Sequence, residues 1–110
     1  MSLKNRILVI VTSLLLSFVF LAIAQAEQVI KIGLNLPLSG PREATGVSTR
    51  AGAELIRDQI NDSGGLQVGD SRYKVEYVYA DNESNPQAAI AATLKLITQD
   101  KVLGIIGPNA

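Results

Sequence analysis

The chain has 110 residues, in which 10 Lys and Arg balance 10 Asp and Glu, and it contains no His, Cys or Trp. This length allows one small domain at most. The missing residue types exclude a Ser-His-Asp triad, a thiol nucleophile, a disulfide framework and a zinc site with nitrogen or sulfur ligands. The even charge balance argues against a nucleic-acid partner, which would require a clustered excess of basic residues.

The amino-terminal segment has the pattern of a secretory signal peptide. Lys4 and Arg6 form a basic start, residues 7–23 are almost wholly apolar, and Ala24-Gln25-Ala26 is the small-x-small pattern that signal peptidase accepts. We therefore predict cleavage after Ala26. An uncleaved membrane anchor remains the alternative, since the apolar run approaches the length of a spanning helix.

Cleavage would divide the chain into a signal peptide, residues 1–26, and a mature domain, residues 27–110. The mature domain is mildly acidic, because Lys4 and Arg6 leave with the signal peptide. An exported domain without cysteines fits a bacterial periplasm, where folding need not rely on disulfides. The absence of a cysteine near the junction excludes a lipid anchor there.

The first half of the mature domain predicts a strand followed by a helix. Residues 29–36 carry apolar side chains at every second position, which places these side chains on one face of a strand. Pro37, Gly40 and Pro41 end the strand. From about Thr45, apolar residues recur at the spacing of one helix face, and the Gly64-Gly65 pair ends this helix.

The second half predicts the order strand, helix, strand. After a turn at Gly69-Asp70, Tyr and Val at positions 73, 75, 77 and 79 alternate with charged side chains at 72, 74 and 76, which indicates a half-exposed strand suited to a sheet edge. Asn85-Pro86 predicts a helix start, with Asn as the N-cap and Pro at the first helical position. Residues 102–106 form a continuous apolar run, typical of a parallel strand covered on both faces.

Strands separated by helices predict right-handed βαβ units in a parallel sheet. If the first strand lies between the other two, the strand order is 2-1-3 and one helix covers each face. The predicted fold class is therefore α/β, the start of a doubly wound parallel sheet. Such a sheet binds its ligand where the first and third strands part at their carboxyl ends, so the functional loops are predicted at residues 37–45 and 107–110.

Six short pieces of the mature chain, in their order and spacing, carry a family resemblance. They are Ile30-Lys31-Ile32-Gly33 with Pro37-Leu38-Ser39-Gly40-Pro41, Gly52-Ala53-Glu54-Leu55, Ile60-Asn61-Asp62-Ser63-Gly64-Gly65, Asp81 with Asn85-Pro86-Gln87-Ala88, and Ile105-Ile106-Gly107-Pro108. Together they resemble the leucine/isoleucine/valine-binding family of periplasmic receptors. The resemblance implies the type I periplasmic-binding fold, two doubly wound lobes joined by a hinge, of which this chain would supply part of the first lobe.

The resemblance also implies a function and partners. Such receptors are the substrate-binding components of ABC importers for branched-chain amino acids or related amides. The implied partners are a small amphoteric ligand, an amino acid or amide, and an inner-membrane permease with its ATPase. No catalytic residue, metal or cofactor is expected.

The family match assigns candidate ligand-binding residues. Ser39 and Gly40 match the loop whose backbone approaches the ligand, although a plain strand-ending turn would explain them equally well. Thr45 is expected either to face the cleft or to cap the helix, and the cap is preferred. Asn109 and Ala110 lie where the family holds the ligand carboxylate, at a helix start whose N–H groups and dipole favour an anion.

Three further expectations accompany this assignment. Asp81 matches the family's acidic residue after the second strand and is expected to be a loop or cap residue. An exported α/β enzyme that shares only this βαβαβ start, and an inactive truncated product, remain as alternatives. A domain of about 84 residues buries little more than ~60% of its unfolded surface, so we expect the mature chain alone to be partly folded or aggregation-prone and to bind leucine weakly or not at all.

Overall fold

The computed structural model describes residues 1–23 and 27–109. Its first element is a helix, α1 (Leu3–Ile23), in the predicted signal peptide. Within the part of the chain that the structure describes, no helix combines the length and apolar character needed to cross a membrane. The predicted cleavage site after Ala26 lies outside the described residues.

The remaining elements form a sheet with helices between its strands. They are β1 (Val29–Leu36), α2 (Glu43–Asp62), β2 (Leu66–Val68), β3 (Ser71–Asp81), α3 (Pro86–Thr98) and β4 (Gly104–Ile106). Among residues 27–109 the strand order is β2-β3-β1-β4. β1 pairs in parallel with both β3 and β4, whereas β2 pairs antiparallel with β3. The predicted α/β class and the order 2-1-3 of the three parallel strands are confirmed.

The apolar core on one face of the sheet lies beneath α3. Leu96 of α3 is fully buried and clusters with Ala92 and with Ala80 of β3. Gly33 makes room for this packing, since a Cβ at that position would lie 3.0–3.2 Å from the Leu96 methyl carbons and Val102. A residue without a side chain on the central strand thus allows α3 to lie close to the sheet.

The other face of the sheet packs against α2. Leu34 and Leu36 of β1 are fully buried and, by strand alternation, point away from α3. Arg50 and Arg57 of α2 lie over the rings of Tyr79 and Tyr77, with the guanidinium carbons 4.6 Å and 5.9 Å from the ring centroids. One helix therefore covers each face, as the right-handed crossovers predicted.

Both helices have ends that follow from their sequence. Asn85 caps α3, its side-chain oxygen accepting hydrogen bonds from the N–H groups of Gln87 and Ala88, as predicted. The α2 helix ends at Asp62, and Gly64 and Gly65 follow with φ of +97° and +91°. These left-handed conformations are ones that glycine adopts without strain, so the predicted stop is confirmed.

Three expectations about the strands and helix α2 are wrong in part. β2 was not predicted, and it covers the start of β3, so β3 is not simply an edge strand. β4 is not a central strand, because it is the last strand of the described sheet. It is also not covered on both faces, because Ile106 is half exposed. The α2 helix begins at Glu43, with Arg42 at the N-cap, so the cap role preferred for Thr45 is also wrong.

Candidate functional site

The candidate site lies at the carboxyl ends of β1 and β4. These strands are adjacent and parallel, with Gly33 opposite Ile105 and Leu34 opposite Ile106. The chain therefore leaves both strands at the same rim of the sheet. We call residues 37–42 the β1 loop and residues 107–109 the β4 loop. Because α2 and α3 cover opposite faces, the rim between β1 and β4 is the switch point at which doubly wound sheets bind ligands.

The β1 loop is tied to the end of β3 by one carboxylate. Oδ1 of Asp81 accepts hydrogen bonds from the backbone N–H groups of Leu38, at 2.9 Å, and Ser39, at 3.2 Å. The same oxygen accepts a third bond, at 2.8 Å, from the N–H of Glu83 in its own loop. Hydrogen bonds to an ionised acceptor are about twice as strong as neutral ones, so this contact fixes two loops against each other.

A second contact between these loops runs through Ser84. Its hydroxyl donates to the carbonyl oxygen of Ser39, at 2.9 Å, and accepts from the N–H of Arg42, at 3.0 Å. Gly40 lies between these two points with φ of +80°, and a Cβ there would come within 2.6 Å of the Glu83 carbonyl oxygen. The close approach of the two loops thus requires glycine at position 40.

The electrostatics of Asp81 follow from these contacts. The loss of some hydrating water to neighbouring atoms would by itself raise the pKa of the exposed Asp81 carboxyl. The Ser39 hydroxyl and the N–H groups of Glu83, Leu38 and Ser39 donate hydrogen bonds to the charged form, and together they lower the pKa below its ordinary value. Asp81 is therefore ionised at neutral pH, in the state that accepts these bonds most strongly.

Two buried asparagines form the base of the rim. Asn35 and Asn82 are fully buried, and Nδ2 of Asn82 donates to Oδ1 of Asn35 at 3.1 Å. Nδ2 of Asn35 donates to the carbonyl oxygen of Ala89 and the hydroxyl of Thr93, each at 2.9 Å. These bonds satisfy polar groups that would be costly to bury unpaired, and they join the ends of β1 and β3 to α3.

The β4 loop begins against the same part of β1. Gly107 has φ of +106°, and a Cβ there would overlap the carbonyl oxygen of Asn35. This close backbone approach is possible because glycine has no side chain. The chain then continues through Pro108 to Asn109, both exposed. The β4 loop therefore starts beside β1, whereas the β1 loop is bonded to the end of β3. The two loops diverge around the switch point.

The structure places most of the predicted site residues on this rim. Ser39 is half-buried and Gly40 is exposed, both in the β1 loop, and Asn109 is exposed in the β4 loop. Thr45 is exposed in the first turn of α2, where its N–H donates to the Arg42 carbonyl oxygen at 2.9 Å. Ala110 lies outside the described residues. Their contact with a ligand stays a prediction.

Sequence reasoning did not assign a site role to Asp81, Ser84, Asn35 or Asn82. Asp81 was expected to be a loop or cap residue, and it does organise a loop, although that loop belongs to another strand. The signal available was the polar residue at the end of each of two predicted neighbouring strands, Asn35 in one and Asp81-Asn82 in the other. Parallel pairing brings such ends to one rim.

The groups on this rim suit reversible binding of a polar ligand. The exposed ones are the Gly40 backbone, the Thr45 hydroxyl and the Asn109 side chain. Asp81, Ser84 and the buried Asn35–Asn82 pair are engaged in bonds within the protein. Within residues 1–23 and 27–109, no group of three or more His, Cys, Asp or Glu residues is arranged to hold a metal ion. The described rim offers hydrogen-bond donors and acceptors to a ligand.

Comparison with known proteins identifies a matching family model and two similar proteins. A family model described as periplasmic binding protein matches residues 29–110. The Leu/Ile/Val-binding protein BraC3 of Rhizobium johnstonii is 34% identical over 96 residues, which is 87% of this chain and 24% of that protein. The leucine-, isoleucine-, valine-, threonine- and alanine-binding protein of Pseudomonas aeruginosa is 33% identical over 88 residues, 80% of this chain and 22% of that protein.

A solved structure adds a match in three dimensions. The branched-chain amino acid transporter substrate-binding protein LivJ of Streptococcus pneumoniae, in complex with isoleucine, aligns with a TM-score of 0.66 and 40% identity. The alignment covers 74% of this chain and 22% of that chain. The chain thus spans about a quarter or less of the length of these relatives.

Proposed function

The chain belongs to the periplasmic binding protein family, and from this membership we propose that it forms part of the substrate-binding component of an ABC importer for branched-chain amino acids. In this proposal residues 27–110 are the first part of the amino-terminal ligand-binding lobe. The ligand is a small amphoteric molecule, with an aliphatic amino acid such as isoleucine as the leading candidate and related amides as the wider class.

One observation carries the proposal. The aligned part of the chain shares 40% identity and a TM-score of 0.66 with a substrate-binding protein whose structure contains isoleucine. The parallel pairing of β1 with β4 supports it, because this pairing forms the switch point at which an open α/β sheet binds its ligand. The family model matches residues 29–110, which include this rim.

We assign one wall of the ligand cleft to five residues. Ser39 and Gly40 come from the β1 loop, Thr45 from the first turn of α2, and Asn109 and Ala110 from the end of the chain. The ligand carboxylate would lie near Asn109 and Ala110. Hydroxyl, amide and backbone N–H groups can bind a charged amino acid without changing their own protonation, which suits capture and release.

The proposal also covers export and transport partners. Residues 1–26 have a basic start, an apolar run and an Ala-x-Ala end, which support a cleavable signal peptide and a periplasmic location. A periplasmic receptor must pass its ligand to a membrane permease, which an ATPase drives. The named relatives are binding proteins, so we propose a receptor without catalytic activity.

Isothermal titration calorimetry tests the proposal. The protein to be tested is the product of the whole gene without residues 1–26, rather than residues 27–110 alone. We call it the mature protein. Isoleucine, leucine and valine should bind, whereas lysine and aspartate should bind far more weakly. Failure to bind any of the three aliphatic amino acids would contradict the proposal.

A matched pair of variants tests the site. Thr45→Ala removes a hydroxyl at the proposed cleft, and Thr98→Ala removes one at the end of α3, which lies at the opposite rim of the sheet. Both side chains are exposed, so neither substitution should disturb the core. We expect weaker isoleucine binding for Thr45→Ala alone, and equal effects of the two substitutions would place the ligand elsewhere.

A further inference from the structure

We propose that Asp81 is a positioning residue, whose carboxylate holds the β1 loop in the conformation that receives the ligand. This inference rests on the proposed function, since it assigns the β1 loop to the ligand cleft. Asp81 itself would not touch the ligand. It would act through Leu38 and Ser39, whose backbone N–H groups it binds.

The geometry of the contact favours control of the loop. Leu38 and Ser39 are consecutive residues, and their N–H groups point to the same oxygen of Asp81, at 2.9 Å and 3.2 Å. Two consecutive N–H groups can meet one acceptor only over a narrow range of the dihedral angles between them. The third bond, from the Glu83 N–H at 2.8 Å, fixes the acceptor itself.

The start of the β1 loop is also fixed by its own segment, because Pro37 is fully buried and the Leu38 N–H is shared with the Leu36 carbonyl oxygen at 3.0 Å. From Ser39 onward, the contacts that tie the loop to the end of β3 are those with Asp81 and Ser84. Gly40 follows directly, and glycine restricts the backbone less than any other residue. The next anchor is Ser84, whose hydroxyl bonds to the Ser39 carbonyl oxygen and the Arg42 N–H and so closes the loop on the far side of Gly40. Asp81 and Ser84 both bond to Ser39, and Ser84 also bonds to Arg42, so together they hold the loop on either side of Gly40.

The position of Asp81 separates loop control from core stability. Asp81 is exposed at the last position of β3, whereas the neighbouring β1 residues Leu34 and Leu36 are fully buried beneath α2. Loss of the carboxylate therefore removes no apolar packing. The sheet should persist while the β1 loop samples more conformations. The apparent Kd then equals the intrinsic Kd divided by the fraction of time that the loop spends in the conformation that receives the ligand.

In a pH titration, the effect of Asp81 must be distinguished from the effects of other charged groups nearby. Glu83 of its own loop, Tyr79 of β3 and Lys95 of α3 line the same surface depression. Arg42 is the last residue of the β1 loop and the N-cap of α2, and its N–H is bonded to Ser84. Glu83 is the other carboxylate among these neighbours, so Glu83→Gln serves as the control.

The test compares three variants of the mature protein by calorimetry with isoleucine and by thermal melting. Asp81→Ala removes the acceptor, Asp81→Asn removes the charge but keeps one oxygen, and Asp70→Asn changes an exposed carboxylate in the β2–β3 turn. If the β1 loop holds its productive conformation about a tenth of the time without Asp81, Asp81→Ala raises the Kd about tenfold. Asp81→Asn should have a smaller effect, and Asp70→Asn none.

The pH profile and the amide signals separate positioning from general stability. Wild-type and Glu83→Gln affinities should fall as Asp81 becomes protonated, while the Asp81→Asn affinity should not show this fall. In nuclear magnetic resonance spectra, the amide protons of Leu38 and Ser39 should shift with the same titration and lose that shift in Asp81→Asn. A lowered melting temperature with unchanged affinity and unchanged pH profile would overturn the proposal.

The same data distinguish this inference from the proposed function. If the wild-type protein binds none of the aliphatic amino acids, the proposed function fails, and the amide titration still tests the loop contact. Leu38 and Ser39 amide signals that follow Asp81 ionisation support its hold on the loop. Signals that ignore Asp81 overturn the inference, whichever ligand binds.

Discussion

Two glycines in helix α2 should respond in opposite directions to the same substitution. Gly46 is buried in the first turns of α2, and a Cβ there would overlap the carbonyl group of Pro37 at the start of the β1 loop. Gly52, about 1.7 turns later, is exposed, and a Cβ there would meet no atom within 4 Å. Replacing either residue by alanine changes the helix by the same single methyl group.

The size of each effect follows from two opposing terms. Alanine is favoured over glycine in a helix interior by about 1 kcal/mol. At Gly52 this gain stands alone, so Gly52→Ala should stabilise the fold by about 0.5–1 kcal/mol. At Gly46 the methyl group meets backbone rather than a movable side chain, and overpacking of this kind costs about 3 kcal/mol, the upper part of its usual range. Gly46→Ala should therefore destabilise the fold by about 2 kcal/mol.

Urea denaturation of the mature protein, followed by far-ultraviolet circular dichroism, measures both changes. The midpoint should rise for Gly52→Ala and fall for Gly46→Ala, with similar slopes. Isoleucine binding should also weaken in Gly46→Ala, because the displaced Pro37 begins the β1 loop. If both substitutions stabilise the protein equally, α2 does not lie against Pro37, and the packing argument is refuted.

Two further results are expected. Leu96→Ala should cost about 2–5 kcal/mol in urea denaturation, because it empties the core beneath α3, whereas Leu94→Ala on the exposed side should cost less than about 0.5 kcal/mol; equal losses would contradict the assignment of the buried face. Since hydrogen bonds lower the pKa of Asp81 in the folded protein below its ordinary 3.8, its contribution to stability is fully present above that ordinary value and is lost as pH falls through the lowered one. The gap in urea midpoint between wild type and Asp81→Asn should therefore be larger at pH 6 than at pH 2.5, and a gap independent of pH would contradict this.

The strand order could be predicted because it depends on chain connectivity. Two helices between three apolar segments allow few arrangements once crossovers are right-handed. With β1 at the centre, both crossovers are right-handed and one helix covers each face. The start of α3 at Asn85-Pro86 could also be predicted, because cap and first-turn residues act locally. Element order and local capping are encoded in short stretches of sequence.

The errors lie where a few residues depend on distant partners. β2 has three residues, too few for a periodic signal, although the Gly69-Asp70 turn between Val68 and Ser71 is typical of a two-residue hairpin. The start of α2 was placed at Thr45 because the apolar pattern begins near there, but Arg42 takes the cap position with no side-chain cap bond. Helix ends without a capping side chain carry little sequence signal.

The rim itself could be predicted, but its bonding could not. Parallel pairing of β1 and β4 places the β1 and β4 loops on one rim, and this follows from topology. The contact of Asp81 with Leu38 and Ser39 spans more than 40 residues of chain and involves backbone N–H groups, which every residue type carries. Sequence composition therefore gives no sign of which loop the carboxylate holds.

The most direct test of the account follows amide signals of the mature protein during an isoleucine titration. Binding at the switch point predicts saturable shifts of the Ser39, Gly40 and Asn109 amides with one common Kd. The Gly69 and Lys101 amides, which lie at the opposite rim, should not move. Shifts concentrated at Gly69 and Lys101, or none at Ser39 and Asn109 while isoleucine binds, would contradict the assignment of the ligand to this rim.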